Sequence, residues 1–129
     1  MARIHAEERT LRALTADVEH EIVERLVKAL HPLRIYLFGS HAYGTADRDS
    51  DVDLLLVVGD DETAKRDLAC QGLSSLSGIC IPVDLIVCTQ AELVKWADVP
   101  CNIIHTVVHK GRVIYDSHHG IGAGVAEKG

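Results

Sequence analysis

Two aspartates, Asp51 and Asp53, stand two positions apart where a polar loop meets the apolar run 54–58. On a β-strand, residues i and i+2 point to the same face, about 6–7 Å apart at ~3.3 Å of rise per residue. Two carboxylates so placed repel each other and raise each other's pKa unless a cation lies between them. Hard oxygen ligands without Cys or His favour Mg²⁺ or Mn²⁺ over Zn²⁺. The pair therefore indicates a divalent metal site, with a solvated loop end as the alternative.

A third aspartate and a glycine turn strengthen the metal interpretation. Asp84 lies in the apolar run VDLIV, where an aspartate is rarely buried without a partner; the alternative is a strand-edge aspartate facing water. Together with Asp51 and Asp53 it would complete a cluster able to hold two Mg²⁺ ions about 3.5–4 Å apart, as nucleotidyl transfer needs. Gly39 and Ser40 follow an earlier apolar run, and such a turn brings backbone N–H groups and a hydroxyl to a phosphate.

The strands that position these residues follow from short apolar runs. Residues 33–38 and 51–58 each predict a strand, and the polar stretch between them predicts a loop. The second strand is apolar on both faces, which predicts a central position covered on both sides. Residues 79–88 predict a third strand, and Pro82 within it indicates an edge position or a late start near Val83.

Amphipathic patterns predict helices around these strands. Apolar residues recur every four positions within residues 4–30, which predicts a helix capped by Thr15 or Asp17. Thr89 and Glu92 fit a capping box that would open a short helix. Helical spacing is also found over residues 61–77, 89–96 and 100–111.

The order of these elements predicts an α/β (α+β) fold with a mixed sheet of about three to four strands flanked by helices. The first two strands resemble a hairpin, which argues against a purely parallel sheet, and residues 112–115 predict a last short strand. We expect one domain over residues 1–116 and a flexible C-terminal tail over residues 117–129.

Composition limits the classes of function. The 129 residues are 47% hydrophobic and carry a formal net charge of −6, which suits a folded core and argues against a large basic nucleic-acid surface. No apolar run approaches the ~20 residues needed to span a membrane. The charged N-terminus has no signal-peptide pattern, and the four cysteines form no C-x-x-C pair. We therefore expect a cytoplasmic protein with reduced thiols.

The combined motif resembles the nucleotidyltransferase pattern of the polymerase-β-like superfamily. It consists of Gly39-Ser40, ten intervening residues, Asp51-x-Asp53, and Asp84 on a later strand. It closely resembles the minimal nucleotidyltransferases of prokaryotes, which are small antitoxins encoded beside HEPN-domain toxins. The resemblance extends from about residue 26 to residue 115 and implies the polymerase-β-like nucleotidyltransferase fold.

The resemblance implies a role for each residue of the motif. Asp51 and Asp53 would bind both of two Mg²⁺ ions that bridge the triphosphate. Asp84 would bind the catalytic metal and help to activate the attacking hydroxyl. Gly39 and Ser40 would hold the nucleotide phosphates.

The chain departs from the family pattern immediately after the glycine–serine pair. Many antitoxins of this type carry a basic residue there, where this chain has His41 and Tyr43. Arg48, Lys65 or His41 would have to supply that phosphate contact. For His41, an exposed turn residue is the alternative.

The resemblance implies Mg²⁺-dependent transfer of a nucleoside monophosphate, AMP from ATP, to a tyrosine hydroxyl of a cognate HEPN toxin. The chain has little room after residue 115 for an acceptor-binding domain, so the acceptor must be small or presented by a partner. Two other interpretations stay open: transfer to a small molecule such as an aminoglycoside, and neutralisation of the toxin by binding alone. Nucleic acid is not expected as a direct substrate, and a homodimer or hetero-oligomer is compatible with the sequence.

Overall fold

A five-stranded mixed sheet with helices on both faces forms the core of the computed structural model, which describes residues 14–44, 51–60, 65–118 and 120–121. The helices in these ranges are α1 (Ala16–Leu30), α2 (Ser40–Tyr43), α3 (Lys65–Ser75), α4 (Gln90–Trp96) and α5 (Ile103–Lys110). The strands are β1 (Arg34–Phe38), β2 (Val52–Val58), β3 (Val83–Thr89), β4 (Arg112–Asp116) and β5 (Gly120–Ile121).

The strands lie in the order β3-β2-β1-β4-β5. Strand β1 is antiparallel to both β2 and β4, and β4 is antiparallel to the two-residue β5. Strands β2 and β3 are parallel, which requires the crossover connection that contains α3. The predicted mixed α/β sheet is confirmed.

Strand β2 lies at the centre of the core, as its two apolar faces predict. Leu54 and Leu56 belong to a buried cluster that includes residues of α1, while Leu55 and Val57 belong to a second cluster with residues of α4 and α5. Every residue of β2 is buried except Asp53, which is half-buried. Asp53 is thus the polar position on an otherwise apolar central strand.

Helix α1 covers one face of the sheet. Its buried residues are Val18, Ile22, Val23 and Leu26. The Thr15 hydroxyl accepts a hydrogen bond from the Val18 N–H at 3.3 Å, so Thr15 is the N-cap. None of the helices in the described ranges is long and apolar enough to cross a membrane.

The third strand is shorter than residues 79–88 and begins at Val83, directly after Pro82. It also lies at the edge of the sheet, so both expectations drawn from Pro82 are met. Proline has no N–H to donate, but its carbonyl accepts a hydrogen bond from the Val52 N–H at 2.8 Å.

The bounds of two other predicted segments differ from those in the structure. The helix predicted over residues 61–77 is described from Lys65 to Ser75, and residues 61–64 lie outside the described residues. The short strand β5, Gly120–Ile121, lies within the segment predicted as a tail and pairs with β4. Residues 122–129 lie outside the described residues, so the boundary of the domain stays a prediction.

The capping box of α4 gives a first testable prediction. The Thr89 hydroxyl accepts a hydrogen bond from the Glu92 N–H at 3.1 Å, and the Glu92 carboxylate accepts one from the Thr89 N–H at 3.0 Å. Thr89→Ala should lower the free energy of unfolding by about 1 kcal/mol, as loss of an N-cap usually does. Urea denaturation measures this. Ser74→Ala removes an exposed hydroxyl within α3 instead and should change stability by less than about 0.5 kcal/mol; an equal loss in both variants would contradict the capping role.

Candidate active site

The register of the sheet places Phe38, Asp53 and Asp84 in one row across three neighbouring strands. Phe38 of β1 pairs with Asp53 of β2, and Asp53 pairs with Asp84 of β3. Paired residues on neighbouring strands point to the same face, and the strands lie about 4.8 Å apart. The two carboxylates therefore emerge side by side where β2 and β3 begin. The structure thus brings together residues that are 31 positions apart in the chain.

Electrostatic repulsion and partial burial act together on Asp53. Burial raises the pKa of its carboxyl, and the negative charges of Asp84 and then Asp51 raise that pKa further. The nearby His41 opposes them by lowering the pKa of Asp53. Both Asp51 and Asp84 are therefore close enough to Asp53 to act on its carboxyl.

Asp51 and Asp84 are both exposed, whereas Asp53 is half-buried. Asp51 precedes the first residue of β2, and Asp84 is the second residue of the edge strand β3. The alternative interpretation of Asp84, a strand-edge aspartate facing water, describes its exposure correctly. Its pairing with Asp53 nevertheless makes it part of the acidic group, which consists of Asp51, Asp53 and Asp84. Its exposure leaves it accessible from outside the domain.

The turn at Gly39 lies directly against Asp53. Gly39 has φ 78° and ψ −163°, a conformation open essentially to glycine alone. Its carbonyl accepts hydrogen bonds from the Ala42 N–H at 3.0 Å and the Tyr43 N–H at 3.1 Å, which starts the short helix α2 at Ser40. A Cβ atom at Gly39 would overlap the Asp53 carboxylate. The structure therefore joins the predicted phosphate turn to the predicted metal ligands.

Of the two basic candidates for a phosphate contact that the structure describes, His41 lies at the site. His41 is half-buried in α2 and close enough to Asp53 to lower the pKa of that carboxyl. This position differs from the alternative of an exposed turn residue. Arg48 lies outside the described residues.

Lys65 is a correction to the sequence prediction. Its Nζ lies 2.8 and 2.7 Å from the two carboxylate oxygens of Glu92, and this hydrogen bond lowers the pKa of Glu92. Glu92 belongs to the capping box at Thr89, the last residue of β3, whereas Asp84 is near its start. The two ends are about 16 Å apart at ~3.3 Å per residue. Lys65 therefore serves a structural ion pair away from the acidic group.

The chemistry of the donors fits a hard divalent cation. Carboxylate oxygens are the ligands that Mg²⁺ and Mn²⁺ prefer, and a cation between these acids would remove the repulsion that Asp53 experiences. Within the described part of the chain, no three acidic, histidine or cysteine side chains converge closely enough to hold an ion as they stand. The exposed carboxylates of Asp51 and Asp84 would have to turn towards Asp53 to share one.

The raised pKa of Asp53 predicts how the stability of the metal-free protein depends on pH. Below the unfolded-state pKa, about 4, the carboxyl is neutral in both states and has no effect. As the pH rises from there through the higher folded-state pKa, ionisation destabilises the fold, and above that pKa the loss is complete. In EDTA, the melting temperature of the wild type should therefore fall relative to that of Asp53→Asn over this range. A difference that stays constant with pH would contradict the repulsion.

A known protein family shares the sequence features of this site. A family model described as "Nucleotidyltransferase domain" matches residues 20–114, which contain the row, the turn and all three acids. No curated protein sequence matches the chain closely enough to be called a relative.

Solved structures share the fold at low sequence identity. A structure from Sulfolobus solfataricus, described as a candidate nucleotidyltransferase, is 23% identical with a TM-score of 0.60, and the match covers 95% of each chain. A toxin–antitoxin structure with AMP-PNP is 27% identical with a TM-score of 0.52, over 76% of this chain and 73% of that one. A structure of the toxin–antitoxin pair MntA–HpeT, with two aspartates two positions apart changed to glutamate, gives 27% identity, the same coverage and a TM-score of 0.51.

Proposed function

The chain belongs to the nucleotidyltransferase domain family, and from this premise we propose that it transfers AMP from ATP to a hydroxyl group on a partner toxin. The observation that carries the proposal is the pairing of Asp53 with Asp84 at the start of two parallel strands, directly beside the Gly39 turn. Clustered carboxylates next to a phosphate-binding turn suit the polyanionic substrate of such a transfer, provided that divalent metal balances the charge.

Three carboxylates would hold the metal. Asp51, Asp53 and Asp84 supply oxygen ligands only, which favours Mg²⁺. Bound among them, Mg²⁺ would neutralise negative charge on the phosphates and on the departing pyrophosphate. The repulsion at Asp53 supports this role, because the charges of Asp84 and Asp51 raise the pKa of its carboxyl, and His41 is the described residue that opposes them.

The position of Asp84 suits the activation of an acceptor. In the proposed reaction, the hydroxyl oxygen of the acceptor forms a bond to the α-phosphorus, and the bond from that phosphorus to the pyrophosphate oxygen breaks. The hydroxyl proton passes to a carboxylate, for which we assign Asp84, and from there to water. Asp84 is exposed on the edge strand, so a hydroxyl carried by another molecule can approach it from outside.

The turn that precedes α2 would hold the phosphates. Gly39 lets the backbone approach closely, and Ser40 is half-buried at the first position of α2, beside Gly39. The Ser40 hydroxyl would donate a hydrogen bond to a phosphate oxygen. His41, one residue further on, would add positive charge when it is protonated.

Two toxin–antitoxin structures among the similar folds support the choice of partner. The first contains AMP-PNP, an adenine nucleotide, which supports ATP as the donor. The second carries changes in two aspartates with the same spacing as Asp51 and Asp53. We therefore propose that this chain is the antitoxin of a HEPN-domain toxin and that a toxin tyrosine is the acceptor.

Intact-protein mass spectrometry tests the proposal. The protein is incubated with Mg²⁺, each of the four NTPs in turn, and the product of the neighbouring gene. A mass gain of one or more AMP units on that partner, with ATP only, is the expected result, and peptide mapping should place it on tyrosine. EDTA should prevent the gain, because the acids then have no ion to hold.

The same experiment separates the other interpretations. A stable complex without any mass change would replace transfer by neutralisation through binding. Transfer to an aminoglycoside without any partner protein would replace the toxin by a small molecule. A gain with a different nucleotide would keep the transferase and correct the base.

A further inference from the structure

We propose that Gly39 is a positioning residue for Asp53: the absence of a side chain at Gly39 leaves the space that the Asp53 carboxylate occupies. A phosphate-binding turn would explain a glycine here by its approach to the nucleotide alone. The structure adds a second reason, since the neighbour that a side chain would displace is a protein carboxylate.

The contact is specific to the end of the Asp53 side chain. A Cβ atom at Gly39 would overlap Oδ2 of Asp53 and would lie 3.2 Å from Cγ and 3.4 Å from Cβ. Overlap with Oδ2 and crowding against Cγ must be relieved by movement, whereas 3.4 Å to Cβ is an ordinary contact. The obstacle to a side chain at Gly39 is therefore the carboxylate itself.

The backbones of both residues are held in place, so the end of the Asp53 side chain is the part that can move. Asp53 is fixed in the central strand, because it pairs with Phe38 on one side and with Asp84 on the other. Gly39 directly follows Phe38, and its carbonyl accepts the two hydrogen bonds that begin α2. A side chain at Gly39 would therefore be accommodated mainly by rotation of the Asp53 carboxylate, away from its present direction.

The positive φ of Gly39 is a separate reason for glycine, and the experiment must remove it from the comparison. Any L-residue at φ 78° and ψ −163° is strained, whatever lies nearby. A double-mutant cycle achieves this, because the backbone strain of Gly39→Ala is the same whether residue 53 is Asp or Ala. Only the overlap with the carboxylate differs between the two backgrounds.

The cycle compares the wild type, Gly39→Ala, Asp53→Ala and the double variant by thermal unfolding in EDTA. We expect Gly39→Ala to lower the melting temperature by several degrees more in the wild-type background than in the Asp53→Ala background. If Gly39→Ala alone fails to fold, recovery of a folded double variant gives the same answer. Equal losses in both backgrounds together with an unchanged Mn²⁺ affinity, measured as described next, would overturn the proposal. A double variant that also fails to fold would overturn it as well.

A second measurement detects the case in which the Asp53 carboxylate rotates without any loss of stability. Titration calorimetry with Mn²⁺ compares Gly39→Ala with Gly78→Ala, a glycine with φ 85° that has no other atom of the described residues within 4 Å of an added Cβ. Gly39→Ala should weaken Mn²⁺ binding about 10- to 100-fold, as loss of a residue that orients a ligand does, while Gly78→Ala should not. Unchanged affinity together with equal losses in the cycle would overturn the positioning role.

The metal measurement rests on the proposed function, but the cycle does not. If the wild type binds no Mn²⁺ and transfers no nucleotide, the proposed function fails, and the coupling between Gly39 and Asp53 in EDTA can still be present. If the wild type transfers AMP and the cycle shows no coupling with unchanged metal affinity, only the positioning role fails.

Discussion

Asp53→Asn is expected to abolish nucleotidyl transfer without lowering the stability of the metal-free protein. The amide keeps the shape of the side chain but carries no negative charge to hold a cation. A catalytic metal supplies several kcal/mol of transition-state stabilisation, so the rate should fall about 1,000-fold or more. At the same time, the variant loses a charge that the fold disfavours, because burial and the charges of Asp84 and Asp51 raise the pKa of Asp53.

The combination of the two effects distinguishes a functional acid from a structural one. Transfer is followed by the mass gain on the partner, and stability by thermal unfolding in EDTA near neutral pH. Asp98→Asn is the matched control, since Asp98 is an exposed aspartate in the turn after α4; it should keep both transfer and stability. Retained transfer in Asp53→Asn would refute the metal assignment, and a large loss of stability would show that the carboxylate supports the fold.

The central part of the fold and the acidic pair could be predicted from the sequence because their signals are local. The apolar run of β2 is flanked by polar residues, and its two apolar faces require cover on both sides. Asp51 and Asp53 enter that strand from the loop, so their position at its start follows from the position of the run. The cap at Thr89 is recognisable for the same reason, since a cap depends on residues within one helical turn, and the sequence narrows the cap of α1 to Thr15 or Asp17.

That Asp84 lies near the aspartate pair could be predicted, but the exact pairing across the strands could not, because it depends on register. Nothing in the sequence aligns Asp53 with Asp84 rather than with a neighbour one or two positions away. The contact between Gly39 and Asp53 joins residues separated by a loop, and local spacing contains no information about it. Lys65 was a candidate for the site because of its charge, and only the structure shows that Glu92 binds it.

Leu55→Ala should lower the free energy of unfolding more than Thr89→Ala or Asp53→Asn does. It leaves Asp51, Asp53 and Asp84 unchanged. Leu55 is fully buried in β2 and lies two positions after Asp53 on the same face of the sheet. Truncation of a buried leucine removes apolar contacts and leaves a cavity, which costs about 2–5 kcal/mol. The total stability of a domain is about 5–15 kcal/mol, so this variant should lose a large share of it. Urea denaturation at 25 °C measures the loss.

A control and a ligand make the result informative about the site. Val94→Ala truncates a side chain of α4 that is 67% exposed and should change stability by less than about 0.5 kcal/mol. If the folded state binds the Mg²⁺–ATP complex, that ligand should stabilise Leu55→Ala against unfolding. At a concentration 100 times its dissociation constant, the gain in free energy of unfolding should be about 2.7 kcal/mol. The gain should be much smaller for a Leu55→Ala/Asp53→Asn double variant, since it lacks a metal ligand. Equal stabilisation of both variants would mean that the nucleotide binds away from Asp53, and the proposed site would then be wrong.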